Sequence, residues 1–134
     1  MAACAATVTA SAPGTAEPRP RRVLVVEDDP SSRDAMARLL RLRGLEVRPA
    51  GTLAEAFAGL AWGPHCVVLD LMLPDGTGTT LLEHLRAKQL AVRVAVVTAA
   101  GEPALLDQVK RLRPELMLHK PINVKDLMAW LDEC

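Results

Sequence analysis

The chain has 134 residues and carries 16 Lys+Arg against 16 Asp+Glu. That length suits one ordinary domain. The balanced charge excludes a non-specific nucleic-acid binder with a basic excess, and it excludes an acidic disordered tail. Half the residues are hydrophobic, enough for a proper core. No apolar run approaches the roughly 20 residues that a membrane span needs. The aromatic residues are Phe57, Trp62 and Trp130, with no tyrosine, so the core must be built from Leu, Val, Ala and Met. Cys4, Cys66 and Cys134 form no C-x-x-C pair, which argues against zinc. They are expected as free thiols in a reducing cytoplasm, with Cys66 a small core residue.

Residues 1–21 are rich in Ala, Thr, Ser and Pro and show no clean period. They lack the charged start and leucine-rich centre of a secretory signal, and they read as a disordered N-terminal extension. Residues 22–134 form the expected domain. Val23-Leu24-Val25-Val26 is apolar and β-branched, the pattern of a strand buried on both faces. A helix follows with Ala35, Met36, Leu39 and Leu40 at helical spacing. Asp29 or Ser31 caps it, Pro30 opens it and Gly44 stops it. Leu45 to Ala50 is a weaker strand, suited to a sheet edge. Thr52 caps a helix reaching about Ala61, and Gly63-Pro64 breaks it.

His65 to Leu71 is the next strand, ending at Asp70. Pro74-Asp75-Gly76 is a turn, and a helix runs from about Gly78 to Lys88. Val92 to Val97 is a strand ending at Thr98, and Pro103 to Leu112 is a helix opened by Glu102-Pro103. Glu115 to His119 is a strand ending at Lys120-Pro121, and Asn123 caps the last helix. Five strands alternating with five helices predict an α/β fold with a parallel sheet covered on both faces. Ligands of such sheets sit beyond the carboxyl ends of the strands.

The chemistry-bearing residues fall at those ends. They are Glu27-Asp28-Asp29 after the first strand, Asp70 after the third, Thr98 after the fourth and Lys120 after the fifth. Crowded carboxylates repel one another and favour a bound cation. Magnesium takes carboxylates, waters and a phosphate oxygen. A carboxylate can also act as a nucleophile and form an aspartyl phosphate. A metal, an ammonium and a hydroxyl then each answer one oxygen of the transferred phosphoryl group.

Four segments carry a resemblance: VLVVEDDP (23–30), VVLDLMLPDGTG (67–78), VVTA (96–99) and HKPIN (119–123). In this order and spacing they resemble the receiver domain of two-component response regulators, over roughly residues 22–132. The resemblance implies a flavodoxin-like sheet of order 2-1-3-4-5. It implies Asp70 as phosphoacceptor and Mg2+ as cofactor. Asp28 would ligate the metal directly, Glu27 through water, and Met72 by its backbone carbonyl. Thr98 would be the switch hydroxyl and Lys120 the phosphoryl-pairing cation. Pro121 would follow a cis peptide.

The implied partners are a sensor histidine kinase or a histidine phosphotransfer protein, and a downstream effector. No direct nucleic-acid or membrane contact is implied, and a monomer or weak homodimer is expected. The chemistry would be self-catalysed phosphotransfer and autodephosphorylation, not that of an enzyme acting on other substrates. No DNA-binding segment is read after the last helix, so a stand-alone role in the cytoplasm is expected. The alternative is a receiver fragment of a transcriptional regulator. A haloacid-dehalogenase-type hydrolase would need a second acid two residues after Asp70, where Met72 stands.

Residues outside these roles have plainer readings. Asp29 is expected as an N-cap, Asp75 as a turn residue, and His65, His84 and His119 as residues apart from the site. Arg33, Arg38, Arg41 and Arg43 are expected as a solvated face on a helix that, in the family, helps dock the kinase. Two departures from the family stand out. Met117 occupies the place where an aromatic often reports phosphorylation. Met72 and Ala100 are apolar at two positions where polar residues can place the attacking water.

Overall fold

The structure, a computed structural model, describes residues 21–99 and 103–133. Residues 1–20 of the extension read at 1–21, with Ala100, Glu102 and Cys134, lie outside the described residues. The elements in chain order are β1 (Arg22–Val26), α1 (Pro30–Leu42), β2 (Glu46–Ala50), α2 (Leu53–Gly59), β3 (Cys66–Asp70), β4 (Met72–Leu73) and β5 (Gly76–Thr77). They continue with α3 (Thr79–Ala87), β6 (Arg93–Thr98), α4 (Pro103–Arg111), β7 (Leu116–His119) and α5 (Val124–Asp132).

Five strands form one parallel sheet in the order β2-β1-β3-β6-β7. Counted without the short pair β4-β5, this is the expected order 2-1-3-4-5. The apolar runs occupy the middle of the sheet, where helices on both faces exclude water. All five residues of β3 are buried, whereas edge strand β2 exposes Glu46, Arg48 and Pro49.

Strand alternation divides the core into two layers. Leu24, Val26, Val67, Leu69, Val94 and Val96 pack in one layer with residues of α2, α3 and α4. Val23, Val25, Val68, Ala95 and Val97 pack in the other with Leu40 of α1 and Leu127, Trp130 and Leu131 of α5. Cys66 belongs to this second layer and is disulfide-bonded, which corrects the free-thiol expectation at that position.

Helix ends follow the expected caps. The Ser32 N–H donates to Asp29 Oδ2 at 2.8 Å and the Lys125 N–H to Asn123 Oδ1 at 2.9 Å. Gly44 sits at φ +85°, a left-handed turn that ends α1. The second helix is shorter than expected. It stays regular to Gly59, then tightens into a 3-10 turn over Leu60–Trp62 before Gly63. The loop after Asp70 contains the small antiparallel pair β4-β5 around the expected turn, with Met72 opposite Thr77.

At the opposite end of the sheet, the Arg22 N–H donates to His65 Nδ1 at 2.9 Å. Burial, then the charges of Arg21 and Arg22, hold the His65 imidazole below its ordinary 6.5. The neutral ring is the form the fold favours. Its contribution is complete above pH 6.5 and is lost as pH falls through the depressed value. Urea unfolding should therefore show lower stability at about pH 5.5 than at about pH 7.5. His65→Asn, which keeps an acceptor without a titrating ring, should remove part of that difference. An unchanged difference in the variant would assign the pH dependence elsewhere.

Candidate functional site

Parallel strands in one layer deliver their carboxyl ends to one rim. β1 delivers Glu27 and Asp28, β3 ends at Asp70, β6 ends at Thr98, and β7 leads into Lys120. The register places Asp70 opposite Val97 and Thr98 opposite His119, so these ends lie side by side. The Lys120 N–H donates to the Thr98 carbonyl at 2.8 Å and extends the last pairing by one bond. The Lys120–Pro121 peptide is cis, as the resemblance implied.

The acids come together as expected. One carboxylate oxygen from each of Glu27, Asp28 and Asp70 lies within 4.8 Å of the others. Lys120 Nζ donates to Glu27 Oε1 at 2.8 Å and to Asp70 Oδ2 at 3.0 Å. Burial alone would pull the Lys120 ammonium down. The hydrogen bonds and charges of Glu27 and Asp70 outweigh it and hold its pKa above 10.5. The pairing is therefore intact through the neutral range and is lost only as pH rises through that raised value.

The two ligand candidates after β1 differ in their surroundings. Glu27 is engaged at both oxygens, by Lys120 and by the Asp29 N–H at 3.2 Å. The Asp28 carboxylate is exposed and accepts no hydrogen bond from another described residue. Asp70 is 7% exposed, and its Oδ1 accepts the Met72 N–H at 3.2 Å. Thr98 is buried at the end of β6, and Met117 is half-buried against the core layer of α2, α3 and α4. His119 is exposed, and Asp29 caps α1, where its bonds with Ser32 hold its carboxyl below the usual 3.8.

Three supports escaped the sequence reading. Arg33 was expected on a solvated face, but it is half-buried. Its Nη1 donates to the Glu27 carbonyl at 3.0 Å and the Asp28 carbonyl at 3.4 Å. Gly51 leaves room for that guanidinium, since a Cβ there would lie 2.6 Å from Arg33 Nη1. Asp75 does more than turn the chain. Its two oxygens accept the N–H groups of Leu53 at 2.7 Å and Ala54 at 3.0 Å, which caps α2 from the loop that follows Asp70. Those bonds hold its carboxyl below 3.8. Acidic side chains close to orphan N–H groups gave no clue in sequence, because the partners are remote along the chain.

A groove of about 330 Å³ opens beside Asp70 and Lys120. Ala35, Met36 and Leu39 of α1 form one wall, and Pro121, Ile122 and Val124 form the other.

Fold and site together define an α/β domain whose sheet rim holds an oxygen-rich acidic cluster, a buried aspartate and an ammonium group. Such a donor set suits a hard divalent cation. The sequence profile described as "Response regulator receiver domain" matches residues 23–132. The chain belongs to this family.

Among curated relatives, it is 31% identical to the acid tolerance regulatory protein ActR of Rhizobium meliloti, over 83% of this chain and 58% of ActR. It is 37% identical to the sensory transduction protein RegX3 of Mycolicibacterium smegmatis, over 80% of this chain and 47% of RegX3. The chain thus spans less than two thirds of these relatives. A response regulator receiver protein from Pseudomonas putida superposes with TM-score 0.81 at 25% identity, covering 89% of this chain and 100% of that one. A Burkholderia pseudomallei response regulator with a phosphorylated aspartic acid and a calcium ion gives TM-score 0.72 at 30% identity, covering 81% of this chain and 65% of that one.

Gly78 allows a close backbone approach beside Asp70. A Cβ there would lie 2.6 Å from the Asp70 carbonyl oxygen. Gly78→Ala should displace the end of β3 and cost about 1–3 kcal/mol in chemical denaturation. It should also slow modification of Asp70. Wild-type stability and rate in this variant would show that the approach is not needed.

Proposed function

We propose that this chain is a phosphoacceptor that takes a phosphoryl group on Asp70 from a phosphohistidine of a sensor kinase or histidine phosphotransfer protein. It then relays the signal by protein contact. The observation that carries this reading is the buried Asp70 carboxylate held beside Lys120 within a three-acid cluster. The Asp70 oxygen attacks phosphorus, the new O–P bond forms, and the donor's P–N bond breaks. Lys120 is already within hydrogen-bond reach of Asp70 Oδ2 and can follow the charge onto a phosphoryl oxygen. Thr98, at the neighbouring strand end, is the proposed switch hydroxyl.

The cluster fits Mg2+, because all its donors are oxygens and Lys120 alone leaves negative charge uncompensated. Asp28 would bind directly, Glu27 through water, and the Met72 carbonyl would complete the protein's share. When bound, magnesium neutralises charge on the transferring group. The Asp28 carboxylate, without a competing donor, supports its direct role. Glu27, engaged by Lys120 and the Asp29 N–H, supports the indirect one.

The apolar groove between α1 and the segment after Lys120 suits a partner helix that brings its histidine to Asp70. The expected setting is the cytoplasm, where ATP-dependent kinases work, and the expected state is a monomer or weak homodimer. In a stand-alone protein the output is contact with an effector. The names of relatives such as the transcriptional regulatory protein FixJ of Azorhizobium caulinodans, 51% of which this chain spans, favour a second reading. In that reading the chain is the receiver of a transcriptional regulator. On either reading residues 22–134 make up the receiver, and Met117 in place of an aromatic predicts a muted conformational output.

Incubation with magnesium and acetyl phosphate should add one phosphate by intact mass, and Asp70→Asn should abolish it. A phosphate that persists in the variant would overturn the assignment. The Met72 side chain, 59% exposed beside the acceptor, offers no hydrogen bond to an attacking water. Loss of phosphate should therefore be slow and should accelerate several-fold in Met72→Asn, read by the same mass assay over time. An unchanged rate would show that Met72 does not set the lifetime of the phosphate.

A further inference from the structure

The outer side of α1 carries a second surface, separate from the groove beside Asp70. Asp34, Arg38, Arg41 and Leu42 are spaced to share one stripe of the helix. Leu42 is 78% exposed. Arg41 links this stripe to a cleft of about 390 Å³ whose other walls are Leu45, Glu46, Val47, Arg48 and Trp62. Two guanidinium groups lie over the Trp62 ring, Arg48 at 5.5 Å and Arg22 at 5.6 Å from its centroid. No residue that lines the groove beside Asp70 lines this surface.

Its charge is incompletely answered. Arg22 pairs with Glu46 at 3.3 Å. Arg38 and Arg48 have no carboxylate partner among the described residues. Arg41 donates to the Val47 carbonyl at 3.1 Å. That bond also occupies an acceptor of edge strand β2, and Pro49 on the same strand has no N–H. Strand addition is therefore blocked, and a partner must be recognised through side chains. Asp34 and Glu46 stand among the arginines beside an exposed leucine. This mixture suits a protein segment better than a nucleic-acid backbone, which asks for uninterrupted positive charge.

We propose that Arg38, Arg41, Leu42, Arg48 and Trp62 form a docking surface for an acidic amphipathic segment of a partner protein. Its carboxylates meet Arg38 and Arg48, and its apolar residues cover Leu42 and the edge of Trp62. The surface lies away from Asp70, so this segment and a phosphodonor can bind together.

The test is an amide-resolved NMR titration with a synthetic peptide of Glu and Leu residues. A peptide with Lys in place of Glu and a single-stranded oligonucleotide serve as parallel probes. The acidic peptide should produce saturable, salt-sensitive shifts at Leu42, Arg48 and the Trp62 indole N–H. Asp70→Asn should leave them unchanged. The double variant Arg38→Glu/Arg48→Glu should weaken binding roughly tenfold, as should Arg38→Gln/Arg48→Gln to a smaller extent, with spectra that remain dispersed. Absence of binding would overturn the proposal. So would equal binding of the lysine peptide, tighter binding of the oligonucleotide, or shifts confined to Ala35, Met36 and Ile122.

Discussion

The ammonium of Lys120 stands between the carboxylates of Glu27 and Asp70, and the site depends on that contact. It joins the loop after β7 to the ends of β1 and β3. It also leaves the charge unbalanced, because the Asp28 carboxylate shares the cluster and accepts no hydrogen bond from another described residue. Like charges held this close cost stability unless something compensates them. The fold supplies a further positive charge nearby in Arg33, which donates to the backbone carbonyls of Glu27 and Asp28. A divalent cation would supply the rest.

The sheet is what makes such crowding tolerable. Valine-rich strands buried on both faces leave little freedom at their ends, so backbone pairing sets where the acids stand, and Lys120 then bridges Glu27 and Asp70. Asp75 adds a second restraint. By capping α2 it ties the loop after Asp70 to a helix two elements earlier. The loop after Asp70 is thus anchored on both sides, by Gly78 packed against the Asp70 carbonyl and by Asp75 on α2.

Much of this was legible in the chain. Apolar runs ending in Asp70 and Thr98 marked buried strands and their functional ends together, because in a parallel sheet the same position serves both. Asp29 and Asn123 were readable as caps because their partners are three and two residues away. Arg33 and Asp75 were not readable in full. Arg33 looks like any arginine on a helix until the fold brings its guanidinium over Gly51, and the Asp75 partners lie at Leu53 and Ala54. The pair β4-β5 is too short to carry a period. The disulfide at Cys66 could not be read from three scattered cysteines. Composition also concealed the asymmetry of the surface. Equal totals of acids and bases place a surplus of acid at the strand ends and, among the described residues, leave Arg38 of α1 and Arg48 of β2 without a carboxylate partner.

The most direct test of the central claim is the thermal midpoint of wild type and Asp28→Asn, each with EDTA and with magnesium. The surplus negative charge at the strand ends is open to a cation. Magnesium should therefore raise the wild-type midpoint. Asp28→Asn should raise the metal-free midpoint and lose most of the response to magnesium. A variant that is less stable without metal and still responds fully to it would show that Asp28 neither strains the cluster nor holds the cation.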